Sequence, residues 1–293
     1  MSRAALGLGT VQWGIPYGIA NKAGQTPRSE VRVILERARA HGVKLLDTAS
    51  QYGEAEIVLS ENNPSAFQIV TKTPSFGGES ITPEHALALA NTFRGSLERL
   101  GVDLTYGLLL HRVDDLFRPG GEKLLRVMED LKEQGLVRKI GISVYDEQQI
   151  DAVLRLFTPD IVQLPFNVLD QRLLQSGHIA KLHDAGAEIH VRSVFLQGLL
   201  LMRLAQVPEY FDPIRPLLVR WHEAAADQDM TPIQAALAFV RDTAGVDVVL
   251  VGVENAKQIN DCISDFGLDT TFGAAGLACN DKHYVNPTCW KAN

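Results

Sequence analysis

Cysteine is scarce in this sequence, and its three occurrences, Cys262, Cys279 and Cys289, all lie near the end of the 293 residues. An odd and late set does not supply the pairs of a disulfide framework, so we expect a reducing, cytoplasmic environment. Long apolar runs are missing too, because no stretch approaches the roughly 18 residues of a membrane-spanning helix. Residues 1–9 lead straight into a strand-like run, and we expect no secretory signal there.

Basic residues are outnumbered by acidic ones, 28 against 35, which gives a formal net charge of −7. Sequence-independent nucleic-acid binding requires a basic face, so we expect neither a nucleic-acid partner nor membrane binding. No phosphate-binding loop, H-E-x-x-H motif or G-x-S-x-G motif occurs, and we expect no metal site. Hydrophobic residues make up 46% of the chain, a composition that excludes general disorder.

Short β-rich runs alternate with amphipathic stretches along most of the chain. Val31, Ile34, Leu35 and Ala38, for example, have the spacing of one buried helix face. One helix after each strand predicts a parallel sheet covered on both faces and closed as a single (β/α)8 TIM barrel over residues 1–266. A doubly wound open sheet is the alternative. The predicted strands are 4–9, 43–47, 67–72, 104–111, 137–143, 160–164, 187–193 and 246–252.

Threonine–proline pairs predict three helix starts, at 26–27, 82–83 and 231–232. The hydroxyl can accept from a free N–H of the first turn, and proline has no N–H to leave unpaired. Two helix candidates, 214–229 and 232–243, lie between the seventh and eighth strands, so one helix is additional to the barrel pattern. For the Gly-rich and then polar C-terminal tail, 267–293, we expect partial disorder.

Four polar residues stand where a strand–helix barrel builds its site, at the C-terminal ends of strands. Asp47, Lys72 and His111 end the second, third and fourth strands, and Tyr52 follows Asp47 by five positions. A phenol with a pKa near 10 donates a proton poorly, but an adjacent ammonium lowers that pKa and a carboxylate holds the ammonium. A histidine can orient a carbonyl oxygen or relay a proton. The set suits protonation of an alkoxide as it forms on a carbonyl.

The motifs around these residues resemble those of the aldo-keto reductases. They are L-G-L-G-T (6–10), L-L-D-T-A-S-Q-Y-G (45–53), I-V-T-K-T (69–73), L-L-L-H-R (108–112), K-I-G-I-S (139–143) and V-G-V-E-N (251–255), in family order over nearly the whole chain. The resemblance implies a barrel that interconverts a small aldehyde, ketone or sugar and an alcohol by direct hydride transfer with NAD(P)(H), without a metal. It implies that Tyr52 is the general acid/base, that Lys72 and Asp47 tune Tyr52, and that His111 orients the substrate oxygen.

The resemblance also implies a cofactor bound in extended form at the barrel mouth. Ser143 and Gln163 match the carboxamide-binding positions, and Val144 replaces the asparagine that the family places after Ser143. Arg192 stands where an aromatic residue often stacks under the nicotinamide, and its planar guanidinium can also lie against a ring. The expected cofactor-binding residues are Gly9, Thr10, Ser143, Gln163, Arg192, Phe195, Gln197, Gly198, Gly252, Glu254, Asn255 and Gln258.

The choice between NAD and NADP stays open. Gly252 and Gln258 occupy two positions at which many NADP-using members carry a basic residue for the 2′-phosphate. Glu254 would repel a phosphate and could accept a hydrogen bond from a 2′-hydroxyl instead. We expect Trp13, Tyr17 and Phe166, which follow strand ends, to line the substrate pocket.

Two other functions use the same residues. One is a non-catalytic barrel that binds a nicotinamide cofactor and regulates a partner, which the complete set of Asp47, Tyr52, Lys72 and His111 argues against. The other is a lyase or isomerase barrel in which Lys72 forms a Schiff base with the substrate. The substrate, the physiological direction and the oligomeric state stay open.

Overall fold

The computed structural model describes residues 3–290 and contains eight parallel strands in a closed barrel. The strands pair in chain order, and the eighth returns to the first. Each observed strand overlaps its predicted run, so the predicted TIM barrel is confirmed. The strands are β1 (Ala5–Gly9), β2 (Leu45–Asp47), β3 (Gln68–Lys72), β4 (Thr105–Leu110), β5 (Val137–Ser143), β6 (Ile161–Pro165), β7 (Glu188–Arg192) and β8 (Val248–Gly252).

Helices surround the barrel, and two of them lie between β7 and β8 as the sequence predicts. The helices are α1 (Val11–Gly14), α2 (Arg28–Ala40), α3 (Ala55–Ser60), α4 (Pro83–Leu100), α5 (Glu122–Glu133), α6 (Glu147–Leu154), α7 (Arg172–Gln175), α8 (His178–Asp184), α9 (Arg215–Asp227), α10 (Pro232–Arg241), α11 (Ala256–Phe266) and α12 (Lys282–Val285). Within residues 3–290, none of the helices has both the length and the apolar character needed to cross a membrane.

Two of the three threonine–proline helix starts are confirmed. Thr82 and Thr231 cap α4 and α10, each in a capping box with the residue three positions later. The prediction for Thr26 is wrong, because α2 begins at Arg28 with Pro27 at the N-cap. The N–H of Thr26 donates instead to the carbonyl oxygen of Gln12 at 2.8 Å, which ties Thr26 to the segment after β1.

The core has an inner and an outer part. Inside the barrel, six aliphatic side chains fill the space below the C-terminal mouth, and a larger cluster fills the space between strands and helices. The packed interior leaves the C-terminal mouth as the place for a site. The inner six are Leu45, Val70, Leu109, Ile161, Val248 and Leu250.

The C-terminal tail packs against the loops that follow β6 and β7. Phe272, Leu277 and Val285 are buried there. The N–H of Cys279 donates to the carbonyl oxygen of Leu169 at 2.8 Å. For the tail, 267–293, the composition alone predicts partial disorder, whereas the structure shows packed residues within its described part, 267–290. Residues 291–293 lie outside the described part.

A polar cluster closes the N-terminal end of the barrel. Glu188 Oε2 accepts from the Tyr106 hydroxyl at 2.6 Å and forms an ion pair with Lys139, while Glu188 Oε1 accepts from His190 Nε2 at 2.7 Å. Burial acts to raise the pKa of Glu188, but the hydrogen bonds from His190, Lys139 and Tyr106 together lower it to about 2.

This cluster predicts a specific acid sensitivity. A carboxyl whose pKa is lower in the folded than in the unfolded chain stabilises the fold above the unfolded value, about 4.3 for glutamate, and loses that contribution as the pH falls toward 2. Glu188→Gln should therefore unfold less steeply with acid than the wild type between about pH 5 and 2.5. Urea unfolding across that range checks it, with exposed Glu133→Gln on α5 as the matched control. Equal slopes for wild type and Glu188→Gln would contradict the assignment.

Candidate active site

The deepest part of the site is a buried ion pair. Lys72 Nζ, at the end of β3, donates to Asp47 Oδ2 at 2.6 Å and to the Thr48 carbonyl oxygen at 3.0 Å. The side chains of Lys72 and Asp47 are 1% and 8% exposed. Separation of the two side chains would leave uncompensated charges in the barrel interior, which is strongly unfavourable. The ion pair therefore fixes the positions of both side chains.

Tyr52 and His111 lie beside this pair, so the structure brings together all four residues that the sequence groups. Lys72 Nζ lies 5.1 Å from the centroid of the Tyr52 ring. The Tyr52 and His111 rings meet edge to face, with centroids 5.8 Å apart and an interplanar angle of 80°. The His111 N–H donates to Thr73 Oγ1 at 3.2 Å, which fixes the backbone at the end of β4.

The pKa of Tyr52 moves in the direction opposite to the expected one. Burial raises it well above 10, and the negative charge of Asp47 raises it further. The Lys72 ammonium donates to Asp47 and lies near the tyrosine ring, and the effects of burial and of the Asp47 charge outweigh the expected lowering of the Tyr52 pKa. Tyr52 is therefore a neutral phenol at neutral pH and holds the proton that a general acid must give.

His111 is neutral at physiological pH. Burial, and then the positive charge of Lys72, lower its pKa to about 4. Its Nδ1 atom is buried and has no hydrogen-bond partner within residues 3–290. A neutral imidazole can donate one hydrogen bond without itself being a strong acid, which suits orientation of a carbonyl oxygen.

A cavity of about 860 Å³ lies beside this group and extends across the C-terminal mouth of the barrel. Tyr52, His111 and Asp47 lie on its wall, and it reaches the end of β8. Most of the residues expected to bind cofactor or substrate line it: Gly9, Thr10, Tyr17, Ser143, Gln163, Arg192, Phe195, Gln197, Gly198, Gly252, Glu254 and Gln258.

Three expected site residues lie outside the cavity wall. Trp13 is fully buried, and its Nε1 donates to the Val253 carbonyl oxygen at 3.1 Å. Phe166 is fully buried against Phe239 of α10, with ring centroids 5.2 Å apart. Asn255 caps α11 by accepting from the N–H of Gln258, so its side chain serves the helix.

Tyr145 is the most informative residue that sequence reasoning missed. The Arg192 guanidinium lies over the Tyr145 ring, 4.3 Å from its centroid, and Arg192 Nη2 donates to the Val144 carbonyl oxygen at 3.2 Å. The backbone after Ser143 and the ring of Tyr145 thus fix the plane of Arg192. The position of Tyr145, two residues past the end of β5, was a signal for it. Other missed wall residues are Gln12, Asn21, Lys22, Ser193 and Thr288.

The loop after β7 holds an unusual backbone conformation where it lines the cavity. Ser193, Leu196 and Gln197 have positive φ values of 61°, 47° and 54°. Gly198 has a φ of 90°, and a Cβ there would lie 2.4 Å from Ala20 Cβ, so only glycine fits. Gln197 also bonds the loop after β1, because its Nε2 donates to the Tyr17 hydroxyl at 3.2 Å. Strained backbone of this kind is concentrated at functional sites.

The end of the cavity beside β8 carries negative charge. Glu254 and Asp261 line it, and Lys257 forms an ion pair with Asp261. Backbone N–H groups at the start of α11 are already bonded within the chain. The N–H of Glu254 donates to Gln258 Oε1 at 2.7 Å, and that of Ala256 donates to Glu30 Oε2 at 3.1 Å.

The cavity wall fits an elongated polar cofactor. Thr10 Oγ1 and Gln12 Oε1 are buried without a hydrogen-bond partner in the described part of the chain, as is His111 Nδ1. Buried polar atoms without partners are rare in native proteins, and three of the nine in the described part of the chain lie in the wall of this cavity. The wall therefore offers unused hydrogen-bonding atoms on Thr10, Gln12 and His111 to a polar cofactor or substrate.

Comparison with known proteins agrees with this arrangement. The sequence model of the aldo/keto reductase family matches residues 5–271. The chain is 24% identical to an Escherichia coli protein named NADH-specific methylglyoxal reductase, over 93% of this chain and 92% of the relative. It is 27% identical to an uncharacterized oxidoreductase of Mycobacterium bovis, over 88% of this chain and 82% of that protein. The holo form of an aldo-keto reductase from Bacillus halodurans has the same fold, with a TM-score of 0.73 at 20% identity, over 94% of this chain and 93% of that one.

The closed barrel and the family match together define an oxidoreductase of the (β/α)8 class. The chain belongs to the aldo/keto reductase family, whose members act on carbonyl compounds with NAD(P)H.

Proposed function

We propose that the protein reduces a small aldehyde, ketone or sugar to an alcohol, and catalyses the reverse reaction, with Tyr52 as the general acid/base. The observation that supports this most strongly is the buried Asp47–Lys72 pair beside Tyr52 and His111 at the deep end of the cavity. All four side chains come from the ends of consecutive strands β2 to β4 or the loop after β2, so the barrel holds them rigidly.

Each residue of the site has a separate role in the proposed reduction. NAD(P)H, when bound, supplies the hydride that the carbonyl carbon receives. The neutral imidazole of His111 orients the carbonyl oxygen toward Tyr52, and the Tyr52 hydroxyl gives its proton to that oxygen as negative charge develops. The Lys72 ammonium, held by Asp47, stabilises the phenolate that remains on Tyr52. Ser143 and Arg192 would hold the nicotinamide end, and the loop at Phe195, Gln197 and Gly198 would hold the pyrophosphate.

The surroundings of Lys72 argue against the Schiff-base alternative. The Lys72 side chain is 1% exposed, it is absent from the cavity wall, and its ammonium donates to Asp47 and Thr48. Burial lowers the pKa of Lys72 toward the uncharged amine that a Schiff base needs, but a Schiff base also needs that amine within reach of the substrate carbonyl, and Lys72 does not line the cavity. A barrel that only binds a cofactor and regulates a partner does not require Asp47, Tyr52, Lys72 and His111 to lie together at the end of the cavity.

Binding and turnover together test the proposal. Purified protein should bind NADH or NADPH saturably, and cofactor oxidation should then depend on a carbonyl from a panel of aldoses, ketones and 2-oxoaldehydes that includes methylglyoxal. Binding without turnover of any compound would favour the regulatory barrel. Borohydride trapping of a substrate on the protein without nicotinamide would favour the lyase.

The acidic end of the cavity favours NADH over NADPH. Glu254 lines that end, the charge of Asp261 is offset by its ion pair with Lys257, and Glu30 occupies a backbone N–H of α11 that could otherwise bind a phosphate. Glu254→Lys should shift the ratio of the two dissociation constants toward NADPH by about tenfold or more, because one repelling charge becomes an attracting one. Fluorescence titration with both cofactors measures this ratio, and Glu133→Lys on α5 controls for net charge. An unchanged ratio in Glu254→Lys would place the adenosine elsewhere.

Gln258→Arg should shift the ratio in the same direction as Glu254→Lys does, but it would also remove the bond to the Glu254 N–H.

Tyr145 offers a test of the nicotinamide end. Tyr145→Leu removes the ring beneath Arg192 and should weaken NADH binding about fivefold, because a cation–π contact contributes roughly 1 kcal/mol. Tyr145→Phe keeps the ring and should bind NADH as the wild type does. ADP-ribose, which lacks nicotinamide, should bind all three proteins equally in calorimetry. Loss of ADP-ribose binding in Tyr145→Leu would mean that the ring supports another part of the cavity.

A further inference from the structure

The bond between Gln163 and Asp47 crosses the mouth of the barrel. Gln163 Nε2, on β6, donates to Asp47 Oδ1 at 2.6 Å, and Gln163 is 1% exposed. Strands β2 and β6 lie four positions apart in a closed barrel of eight, on opposite sides of its axis. The family resemblance assigns Gln163 only to the cofactor carboxamide, so this contact with the ion pair is additional.

The contact completes the hydrogen bonding of Asp47. Lys72 Nζ donates to Oδ2 and Gln163 Nε2 donates to Oδ1, both at 2.6 Å. A buried carboxylate is strongly destabilising unless its oxygens accept hydrogen bonds, and each missing donor favours the protonated form. Lys72 alone leaves Oδ1 without that support. With Gln163, the carboxylate is held from a neighbouring strand and from the opposite strand at once.

We propose that Gln163 is a positioning residue, which fixes the Asp47 carboxylate and through it the Lys72 ammonium beside Tyr52. This role rests on the proposed function of Tyr52 as general acid. The charge on Asp47 raises the pKa of Tyr52. Displacement or protonation of Asp47 therefore changes the strength of Tyr52 as the acid that protonates the substrate. The other groups that face this centre are the Arg192 guanidinium, the neutral His111 ring and the phenol of Tyr145.

Gln163→Glu separates this role from carboxamide binding. At acid pH the introduced carboxyl group is protonated and can donate to Asp47 as the amide does. As the pH rises it ionises next to Asp47, and two carboxylates in contact repel each other. The kcat of Gln163→Glu should therefore fall at least about tenfold with rising pH, on a limb that is absent from the wild type. Gln163→Met, which never donates, should have a kcat lowered about tenfold at every pH.

Ser143→Ala provides the matched comparison. Ser143 pairs with Gln163 across β5 and β6 and lines the same cavity. Its substitution should weaken NADH binding without adding a limb to the pH profile. If Gln163→Glu likewise raises only the dissociation constant of NADH and keeps the wild-type profile of kcat, the positioning role is overturned.

The stability of Gln163→Glu gives a readout that does not require turnover. The introduced carboxyl group has a higher pKa in the folded than in the unfolded chain, because ionisation next to Asp47 is unfavourable only in the fold. Its urea midpoint should therefore fall progressively above about pH 4.3, relative to the wild type. A midpoint difference independent of pH would overturn the contact itself. A wild type that reduces no carbonyl would contradict the proposed function, while the stability comparison would still decide whether Gln163 holds Asp47.

Discussion

Tyr52→Phe should lose at least about a hundredfold in kcat and keep its affinity for NADH. General acid catalysis contributes typically 10²–10⁴-fold, and the substitution removes only the hydroxyl that carries the proton. The ring would keep its contacts with Lys72 and His111, so the fold and the cavity should be unchanged. Steady-state kinetics with saturating carbonyl and fluorescence titration of NADH measure the two quantities.

Tyr17→Phe is the matched control, because Tyr17 lines the same cavity and its hydroxyl meets Gln197. It should alter kcat far less than Tyr52→Phe does. Near-wild-type turnover in Tyr52→Phe would mean that another group donates the proton, and His111, with a pKa of about 4, would be a poor candidate at neutral pH.

Lys72→Met should lower both stability and turnover. Removal of one partner from a buried ion pair leaves an uncompensated charge, and such substitutions reduce the free energy of unfolding by roughly 3–5 kcal/mol. Asp47 would be that charge, because it is 8% exposed and Lys72 is its only ion-pair partner in the described part of the chain. Urea unfolding at neutral pH measures the loss of stability, and steady-state kinetics measures the loss of kcat.

The double substitution Asp47→Asn with Lys72→Met separates the two effects. It removes both charges, so most of the lost unfolding free energy should return, while kcat should stay low because no cation stabilises the Tyr52 phenolate. Recovery of kcat together with stability would show that the pair supports the fold alone. Failure to recover stability would show that Lys72 stabilises the barrel by contacts other than Asp47.

The fold was predictable because the evidence for it is local. Each repeat of the sequence consists of a short β-rich run followed by an amphipathic helix. Eight such repeats are compatible with few arrangements of a parallel sheet. The grouping of Asp47, Lys72 and His111 followed from the rule that strand ends meet at one mouth of a barrel. Thr26 shows the limit of local evidence, because its bond to Gln12 belongs to the tertiary structure.

Side-chain direction and burial could not be predicted from sequence. Trp13 and Phe166 follow strand ends, but their rings face the core, since a position past a strand does not fix the rotamer. The prediction of a lowered Tyr52 pKa considered only the positive charge of Lys72. Desolvation of the buried phenol is the larger effect, and it raises the pKa. Glu30 lies more than two hundred residues from its partner Ala256, and only the fold brings them together.

The most direct test of the proposed reaction is NADH consumption by the wild-type protein with methylglyoxal and other small carbonyls, combined with quantification of the alcohol formed. If Tyr52 is the general acid of a carbonyl reductase, the kinetics will be saturable, one alcohol will be produced for each NADH oxidised, and both signals will be lost in Tyr52→Phe. Tight NADH binding without alcohol formation from any carbonyl, or equal rates in the wild type and Tyr52→Phe, would contradict it.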